Sequence, residues 1–157
     1  MVITKIEAQK KKGRYNIYLN DTFAFGVDEA TVVKFALFKG TELTKEQIEE
    51  IQHDDCIQQA YQKALHFLNF KLRSTKEVYE KLEKLEFDED IINEVLGKLH
   101  EQNFINDTFY AESYLNQAKF VTFKGPKSVI FDLQKKGISD KVIQTVLEGY
   151  TLREQLE

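Results

Sequence analysis

The residues of this chain that could carry out chemistry are its three histidines, its one cysteine and its carboxylates. The densest group is His53-Asp54-Asp55-Cys56, and no second cluster stands at the spacing that a zinc site needs. His66 and His100 fall in other parts of the chain. The sequence also contains neither a phosphate-binding glycine-rich loop nor a nucleophile-elbow motif. The residue pattern therefore predicts no metal, no cofactor and no enzymatic activity.

Composition limits the remaining classes of function. With Cys56 as the only cysteine the chain can form no internal disulfide, and because two acids precede it we expect a small buried residue and not a reactive thiolate. The formal net charge of −4 argues against a protein that wraps bare duplex DNA through a basic surface. No apolar run has the length of a signal peptide or a membrane span. We therefore expect a cytoplasmic monomer that does not contact a membrane.

Cations are the residues that could bind an anionic partner, and they form two sets. The first lies on a predicted hairpin and consists of Lys10, Lys11, Lys12 and Arg14. These residues either contact DNA or protect a sheet edge from aggregation. The second set flanks predicted helix starts, which favour anions, and consists of Lys71, Arg73, Lys119, Lys124 and Lys127. The alternative for this set is a group of solvated charges.

Two groups of aromatic residues have open interpretations. The first lies on predicted strands and could stack on nucleic-acid bases, although half of an alternating strand faces a core: Tyr15, Tyr18, Phe23 and Phe25. The second has helical spacing and is expected to form the core that joins two helical units: Phe104, Phe109, Tyr110 and Tyr114.

The elements that position these residues follow from an internal repeat. The segment Ser74–Leu96 recurs 51 positions later as Gly125–Leu147 without a gap, with apolar residues at matching positions. Within each copy the apolar spacing is that of amphipathic helices. A repeat of this length predicts stacked supersecondary units, here three helices each. The expected N-caps are Asp54 or Asp55, Ser74, Asp88, Asn106 or Asp107, and Ser139, and Lys124-Gly125-Pro126 should open a further helix with proline in its first turn.

The first 52 residues have a different pattern. Alternation from Val2 to Val27, with a turn signal at Asn20-Asp21, predicts a small antiparallel sheet. Asp28 should cap a helix that runs through Leu37 and stops at Gly40, and a capping box at Thr44 should begin a second helix that ends near Ile51. One of these helices should cover the sheet, because two or three short strands alone are marginal in water.

We therefore predict a mainly α-helical, elongated protein with tandem three-helix repeats preceded by a small antiparallel β-hairpin and helix module. The module spans residues 1–52, the first repeat 53–103 and the second 104–150. The last helix should end near Gly149, and residues 151–157 form a tail or the start of a third repeat. Because terminal repeats need capping, either the sheet caps one end or the chain stops short of a third unit.

Several motifs in this order resemble the RecX family, which regulates the bacterial recombinase RecA. The family's Arg-Ser-x-x-Glu-Leu helix and its partner are matched by Arg73-Ser74, Glu77 and Leu82 and then Ile91, Ile92 and Leu99, with Val78 at the usual leucine position. Two further motifs are matched by Asn103–Ala111 and by Lys124-Gly125, Leu133 and Lys136-Gly137-Ile138. The lysine-rich hairpin before Phe25-Gly26-Val27-Asp28 fits the longer form with an extra amino-terminal segment.

The resemblance implies a regulator that binds the RecA–single-stranded DNA filament and inhibits its recombinase, ATPase and coprotease activities in DNA repair and the SOS response. Its partners would be this filament and possibly bare single-stranded DNA, contacted through the two sets of cations. One alternative is a helix-turn-helix regulator of duplex DNA, although the candidate reading helices carry few base-reading cations. The other alternative is a helical-repeat scaffold for a different protein.

Overall fold

The structure, a computed structural model, describes residues 1–118 and 125–156. Within these residues it contains three strands followed by seven helices. In chain order they are β1 (Ile3–Ala8), β2 (Arg14–Leu19), β3 (Thr22–Asp28), α1 (Glu29–Lys34), α2 (Lys45–Leu68), α3 (Thr75–Lys84), α4 (Glu89–Glu101), α5 (Asp107–Gln117), α6 (Pro126–Lys135) and α7 (Asp140–Leu156). The prediction of a mainly helical chain with a small antiparallel sheet is confirmed. The chain divides into two compact units, Met1–Gln59 and Ala60–Glu157.

The sheet of the first unit has the strand order β1-β2-β3, with both pairs antiparallel. Asn20 and Asp21 form the β2–β3 turn with φ of 50° and 67°, the left-handed pair that a two-residue hairpin favours. One face of the sheet packs into a core with α1 and the start of α2. The buried members of this core are Ile3, Ile17, Leu19, Phe25, Val27, Leu37, Leu43 and Ile51.

Helix α1 is shorter than predicted, because it ends at Lys34 and not at Leu37. Ala36 adopts a left-handed φ of 51°, and the N–H of Leu37 donates to the carbonyl of Val32 at 2.9 Å. This is a Schellman ending with alanine in the position that glycine usually takes. The early ending turns Leu37 into the core, where it is buried, and this burial offsets the backbone strain at Ala36.

Helix α2 is one helix of 24 residues, so the predicted break between Ile51 and Asp54 or Asp55 is wrong. The capping box at its start is confirmed, with Gln47 N–H donating to Thr44 Oγ1 at 3.1 Å. No glycine or proline interrupts the segment that follows. The Asp55 carboxylate does not cap a helix, because it accepts hydrogen bonds from the Asp28 N–H and the Thr31 hydroxyl.

The backbone of the second unit follows the internal repeat. Helices α3 and α6 begin and end 51 positions apart, and so do the starts of α4 and α7. The connecting turns also correspond, with φ of 69° at Glu86 and 80° at Gly137. Apolar residues at matching positions are buried in both copies: Ala60 and Ala111, Val78 and Val129, Leu82 and Leu133, Ile92 and Ile143, and Val95 and Val146.

Three further expectations are corrected. Helix α7 continues to Leu156, so it passes the predicted end near Gly149; a single glycine costs a helix only about 1 kcal/mol. Cys56 is exposed and not buried, because it lies on the outer face of α2 between the buried Asp55 and Ile57. Phe104 and Phe109 are about half exposed and do not join the repeats, whereas Tyr110 is buried. Helical spacing shows that residues share a face but not what that face meets.

Candidate interaction surface

The two repeats meet where α3 begins, and we call this contact the repeat junction. Ser74 is fully buried there and caps α3 by accepting a hydrogen bond from the Glu77 N–H at 3.2 Å. Its hydroxyl also donates to the carbonyl of Lys136, in the α6–α7 turn, at 2.7 Å. The Glu77 side chain accepts from the Ser74 N–H at 3.1 Å and completes the capping box. One serine therefore caps a helix in one repeat and attaches it to the other.

The carboxylate of Glu77 lies between several donors of the junction. It is 3.7 Å from Lys136 Nζ and 3.8 Å from Arg73 Nη1, and it accepts a hydrogen bond from the Tyr110 hydroxyl. Burial alone would raise the pKa of Glu77, but the bond from Ser74, the charge of Lys136 and these other partners lower it overall. The same contact acts on Tyr110, where burial and the adjacent Glu77 charge raise the pKa of the phenol. The pair is therefore a tyrosine donating to an ionised glutamate.

Arg73 is built into the junction as a stacked side chain. Its guanidinium carbon lies 3.9 Å from the centroid of the Phe67 ring, and the side chain is only 16% exposed. Its Nε atom is buried without a hydrogen-bond partner. A cation held over an aromatic face in this way contributes about 0.5–2 kcal/mol. Arg73 is thus partnered within the chain, and reversing its charge would set a carboxylate against Glu77.

Two more contacts fix how the repeats meet. The N–H and hydroxyl of Thr75 both donate to Asp107 Oδ1, at 2.8 and 3.0 Å. In the α6–α7 turn, a Cβ added to Gly137 would lie 2.4 Å from the Cβ of Lys76. Because Gly137 also has a left-handed φ of 80°, both the backbone conformation and the available space require glycine there.

A groove of about 380 Å³ lies beside the junction and carries its exposed polar groups. Its lining residues are Lys71, Leu72, Tyr110, Ser113, Tyr114, Gln117 and Lys136. Among the residues that the structure describes, the lining combines two lysine side chains with hydroxyl and amide groups and contains no carboxylate. Such a lining suits an anionic partner group, either a phosphate or an acidic side chain.

The predicted cations differ in their surroundings. Lys10, Lys11 and Lys12 are exposed in the β1–β2 turn of the first unit. Arg14 is instead paired inside that unit, 2.9 Å from Asp28 and 3.1 Å from Asp55, and these two bonds raise its pKa despite burial. Lys71 lines the groove and Arg73 is stacked at the junction. Lys127 is exposed on the first turn of α6, whereas Lys119 and Lys124 lie outside the described residues.

Sequence reasoning missed several residues of the groove, above all Lys136, Ser113 and Gln117. The repeat itself obscured Lys136, because the 51-residue offset aligns it with the apolar Leu85. The signal that could have revealed it is the pair Lys135-Lys136 directly before the turn glycine. A cation that replaces an apolar residue at one repeat position marks a place where the two copies differ in surroundings.

In residues 1–118 and 125–156, no three His, Cys, Asp or Glu side chains come together in a way that could hold a metal ion. Over the same part of the chain, no helix is both long and apolar enough to cross a lipid bilayer.

The fold and the junction define a class, that of tandem three-helix-repeat proteins with an amino-terminal sheet module. Residues 1–44 match the profile described as Regulatory protein RecX N-terminal domain, and residues 60–99 match that described as RecX, first three-helix domain. A solved structure described as the crystal structure of regulatory protein RecX superposes with a TM-score of 0.76 at 38% identity, covering 95% of this chain and 73% of that one. The chain belongs to the RecX family.

Curated relatives agree with this assignment. The protein named Regulatory protein RecX from Leuconostoc mesenteroides is 46% identical over 155 residues, which is 99% of this chain and 58% of the relative. Its namesake from Bacillus velezensis is 40% identical over 156 residues, which is 99% of this chain and 59% of the relative. The RecX structure from Lactobacillus salivarius is 41% identical with a TM-score of 0.60, covering 62% of this chain and 63% of that one. The chain thus spans under two thirds of the length of these curated relatives.

Proposed function

We propose that this chain regulates the RecA–single-stranded DNA filament by binding it and slowing strand exchange, ATP turnover and coprotease action, in the cytoplasm and without chemistry of its own. The observation that carries the proposal is membership of a family whose members are named regulatory proteins. RecA as the partner comes from the resemblance of the sequence motifs to that family.

The junction supports this function because it sets two equivalent helical units in one fixed relation. A repeating partner such as a filament can be contacted several times, each contact with modest affinity. The groove beside the junction offers Lys71 to phosphates or to acidic side chains, whereas Lys136, which also lines it, lies 3.7 Å from Glu77. We place the contact there and at the exposed Lys127, and we exclude Arg14 and Arg73, whose charges are already used within the chain.

The test compares binding of the full chain to bare single-stranded DNA, to free RecA and to the ATP-bound filament by co-sedimentation. The proposal predicts the tightest binding to the filament. It also predicts that Lys71→Glu with Lys127→Glu weakens filament binding, while Lys84→Glu, an exposed lysine at the other end of α3, leaves it unchanged. Equal binding of the three targets, or no response to the double variant, would reject the proposal.

Two other functions are separated by the same assay. A helix-turn-helix regulator would bind duplex DNA with sequence preference, but its candidate reading helix α4 begins with Glu89 and Asp90, which repel phosphate. A scaffold for another protein would bind none of the three targets. Neither alternative is favoured by a specific feature of the described residues.

A further inference from the structure

The sheet of the first unit has one face in the core and one face open, and the open face carries an ordered row of side chains. The strand register aligns Lys5 on β1 with Tyr18 on β2 and Tyr18 with Phe23 on β3. The Tyr18 and Phe23 rings meet edge to face with centroids 5.9 Å apart, and Lys5 Nζ lies 5.2 Å from the centroid of Tyr18. Phe23 is 53% exposed, so its ring remains accessible.

A β-bulge is what brings Phe23 to this face. Phe23 and Phe25 are two residues apart and in a regular strand would point the same way. The register shifts between Ile17 and Tyr18, so that Ile17 pairs with Phe25 and Tyr18 pairs with Phe23. Phe25 is therefore buried in the core while Phe23 lies on the opposite face. The bulge exposes an aromatic ring that strand alternation alone would have buried.

The rest of the open face is polar, which distinguishes it from a protein-docking face. Its next row contains Glu7, Asn16 and Gly26, and Gln9 Nε2 donates to Asn16 Oδ1 at 2.7 Å. A Cβ at Gly26 would meet the Gln9 amide at 2.8 Å, so this side chain lies across the glycine. Aromatic rings are common in protein interfaces, but charged groups are depleted at the centre of such interfaces, and here Lys5 and Glu7 both contact Tyr18.

A local run of cations near the open face could contact the phosphates of a nucleic acid. Lys10, Lys11 and Lys12 are exposed in the turn that joins β1 to β2, at the end of the sheet away from the aromatic row. The acid that contacts Tyr18, Glu7, is itself paired: it is 3.4 Å from Lys5 Nζ and accepts a hydrogen bond from the Tyr18 hydroxyl at 3.0 Å. The charge of Glu7 is thus balanced by Lys5, and the hydrogen bond from the Tyr18 hydroxyl to Glu7 orients the Tyr18 ring.

We propose that the open sheet face binds single-stranded nucleic acid, with an unpaired base stacked on Phe23 and Tyr18 and the phosphates running toward Lys10, Lys11 and Lys12. Open sheets with exposed aromatic rings and flanking cations bind single strands in this way, because every base has a face on which a ring can stack. This site lies in the first unit, apart from the groove in the second, and does not depend on RecA.

The experiment measures fluorescence anisotropy of a labelled thymidine 12-mer with the full chain, in the absence of RecA. The proposal predicts that Phe23→Ala weakens binding about tenfold, the usual effect of losing one stacked base. The matched control is Phe38→Ala, an exposed aromatic residue of the same unit that does not lie on the sheet, and circular dichroism confirms that each variant is folded.

An abasic 12-mer separates stacking from phosphate contact. Wild type should bind it about tenfold more weakly than the thymidine strand, and Phe23→Ala should then have no further effect. A uridine 12-mer distinguishes RNA from DNA as the strand, and Phe23-dependent binding of either supports the proposal. Equal affinity for thymidine and abasic strands, or equal effects of Phe23→Ala and Phe38→Ala, would overturn it. Because RecA is absent, the outcome does not depend on the filament assay.

The turn lysines have a separate readout. The affinity of a single strand falls with salt with a logarithmic slope of about 0.7 per phosphate contact. Replacing Lys10, Lys11 and Lys12 with alanine should reduce the slope by about 2, whereas replacing Lys39 and Lys45, exposed lysines elsewhere in the unit, should leave it unchanged. If the salt dependence of the affinity is the same in the triple variant as in wild type, Lys10, Lys11 and Lys12 do not contact the phosphates of the bound strand.

Discussion

The two repeats of the second unit share a backbone and differ in what lies against it. Both turns between their second and third helices end in a Schellman motif, with Glu86 at the left-handed position in one and Gly137 in the other. Glu86 is exposed, whereas Gly137 lies against Lys76 of the first repeat. The caps differ in the same sense, since buried Ser74 bonds across the junction, whereas among the described residues no atom lies within 4 Å of a Cβ built at Gly125. The two repeats therefore share a backbone conformation, and their residue types differ at positions that form the repeat junction.

The largest effect should come from Gly137→Ala. The substitution forces a side chain into a left-handed conformation and against Lys76, so the free energy of unfolding should fall by about 3 kcal/mol. The measurement is urea unfolding followed by far-ultraviolet circular dichroism.

The equivalent residue of the other repeat supplies the control. Glu86→Ala keeps the left-handed strain and touches nothing new, so stability should stay within about 0.5 kcal/mol, and Glu86→Gly should gain about 1 kcal/mol from relief of that strain. If the loss of unfolding free energy in Gly137→Ala is no larger than the gain in Glu86→Gly, backbone strain alone explains both values. The contact between Gly137 and Lys76 would then add nothing, and the two turns would not differ as described.

The next effect concerns the helix caps. Ser74→Ala removes a cap and leaves the Lys136 carbonyl without its donor, which should cost about 2 kcal/mol. Asp88→Ala is matched, because Asp88 holds the N-cap position of α4, is exposed and makes no side-chain cap bond, so its loss should cost under about 1 kcal/mol. Thermal unfolding of both variants compares them directly, and equal losses would contradict a special role for Ser74.

The smallest effect is a pH dependence at Glu77. Its pKa is lower in the folded chain than the usual value near 4.3, so the ionised carboxylate stabilises the fold above about pH 4.3 and this contribution is lost as the pH falls through the folded pKa. The stability difference between wild type and Glu77→Gln should therefore shrink from pH 7 toward pH 3. The control is Glu80→Gln on the same helix, whose side chain is 60% exposed, and its difference should be small at every pH. If the stability difference between wild type and Glu77→Gln does not change with pH, the ionised form of Glu77 does not stabilise the junction.

Local signals in the sequence predicted much of this fold. The Ser74 and Glu77 capping box, the left-handed Gly137 and the Asn20-Asp21 turn each depend on residues within a few positions, and each was found. The sequence did not show that α2 is continuous, because Asp55 has the residue type of a cap and its carboxylate is instead used by Arg14, Asp28 and Thr31, which are far away in the sequence.

The candidate site was less predictable for a related reason. Lys71 and Arg73 look alike in the sequence, yet one is exposed in a groove and the other is stacked on Phe67. The exposed position of Phe23 depends on a bulge between Phe23 and Phe25, where neither glycine nor proline stands to indicate it. The residue type shows which side chains are charged or aromatic. Tertiary contacts determine which of these side chains are exposed to a partner.

The most direct test of the proposed function is the rate of ATP hydrolysis by RecA on single-stranded DNA while the full chain is titrated into the reaction. The account predicts that hydrolysis falls as the chain is added, and that the Lys71→Glu, Lys127→Glu variant needs a higher concentration for the same effect while Lys84→Glu matches wild type. Hydrolysis that stays constant over the whole titration, with the chain folded by circular dichroism, would contradict it.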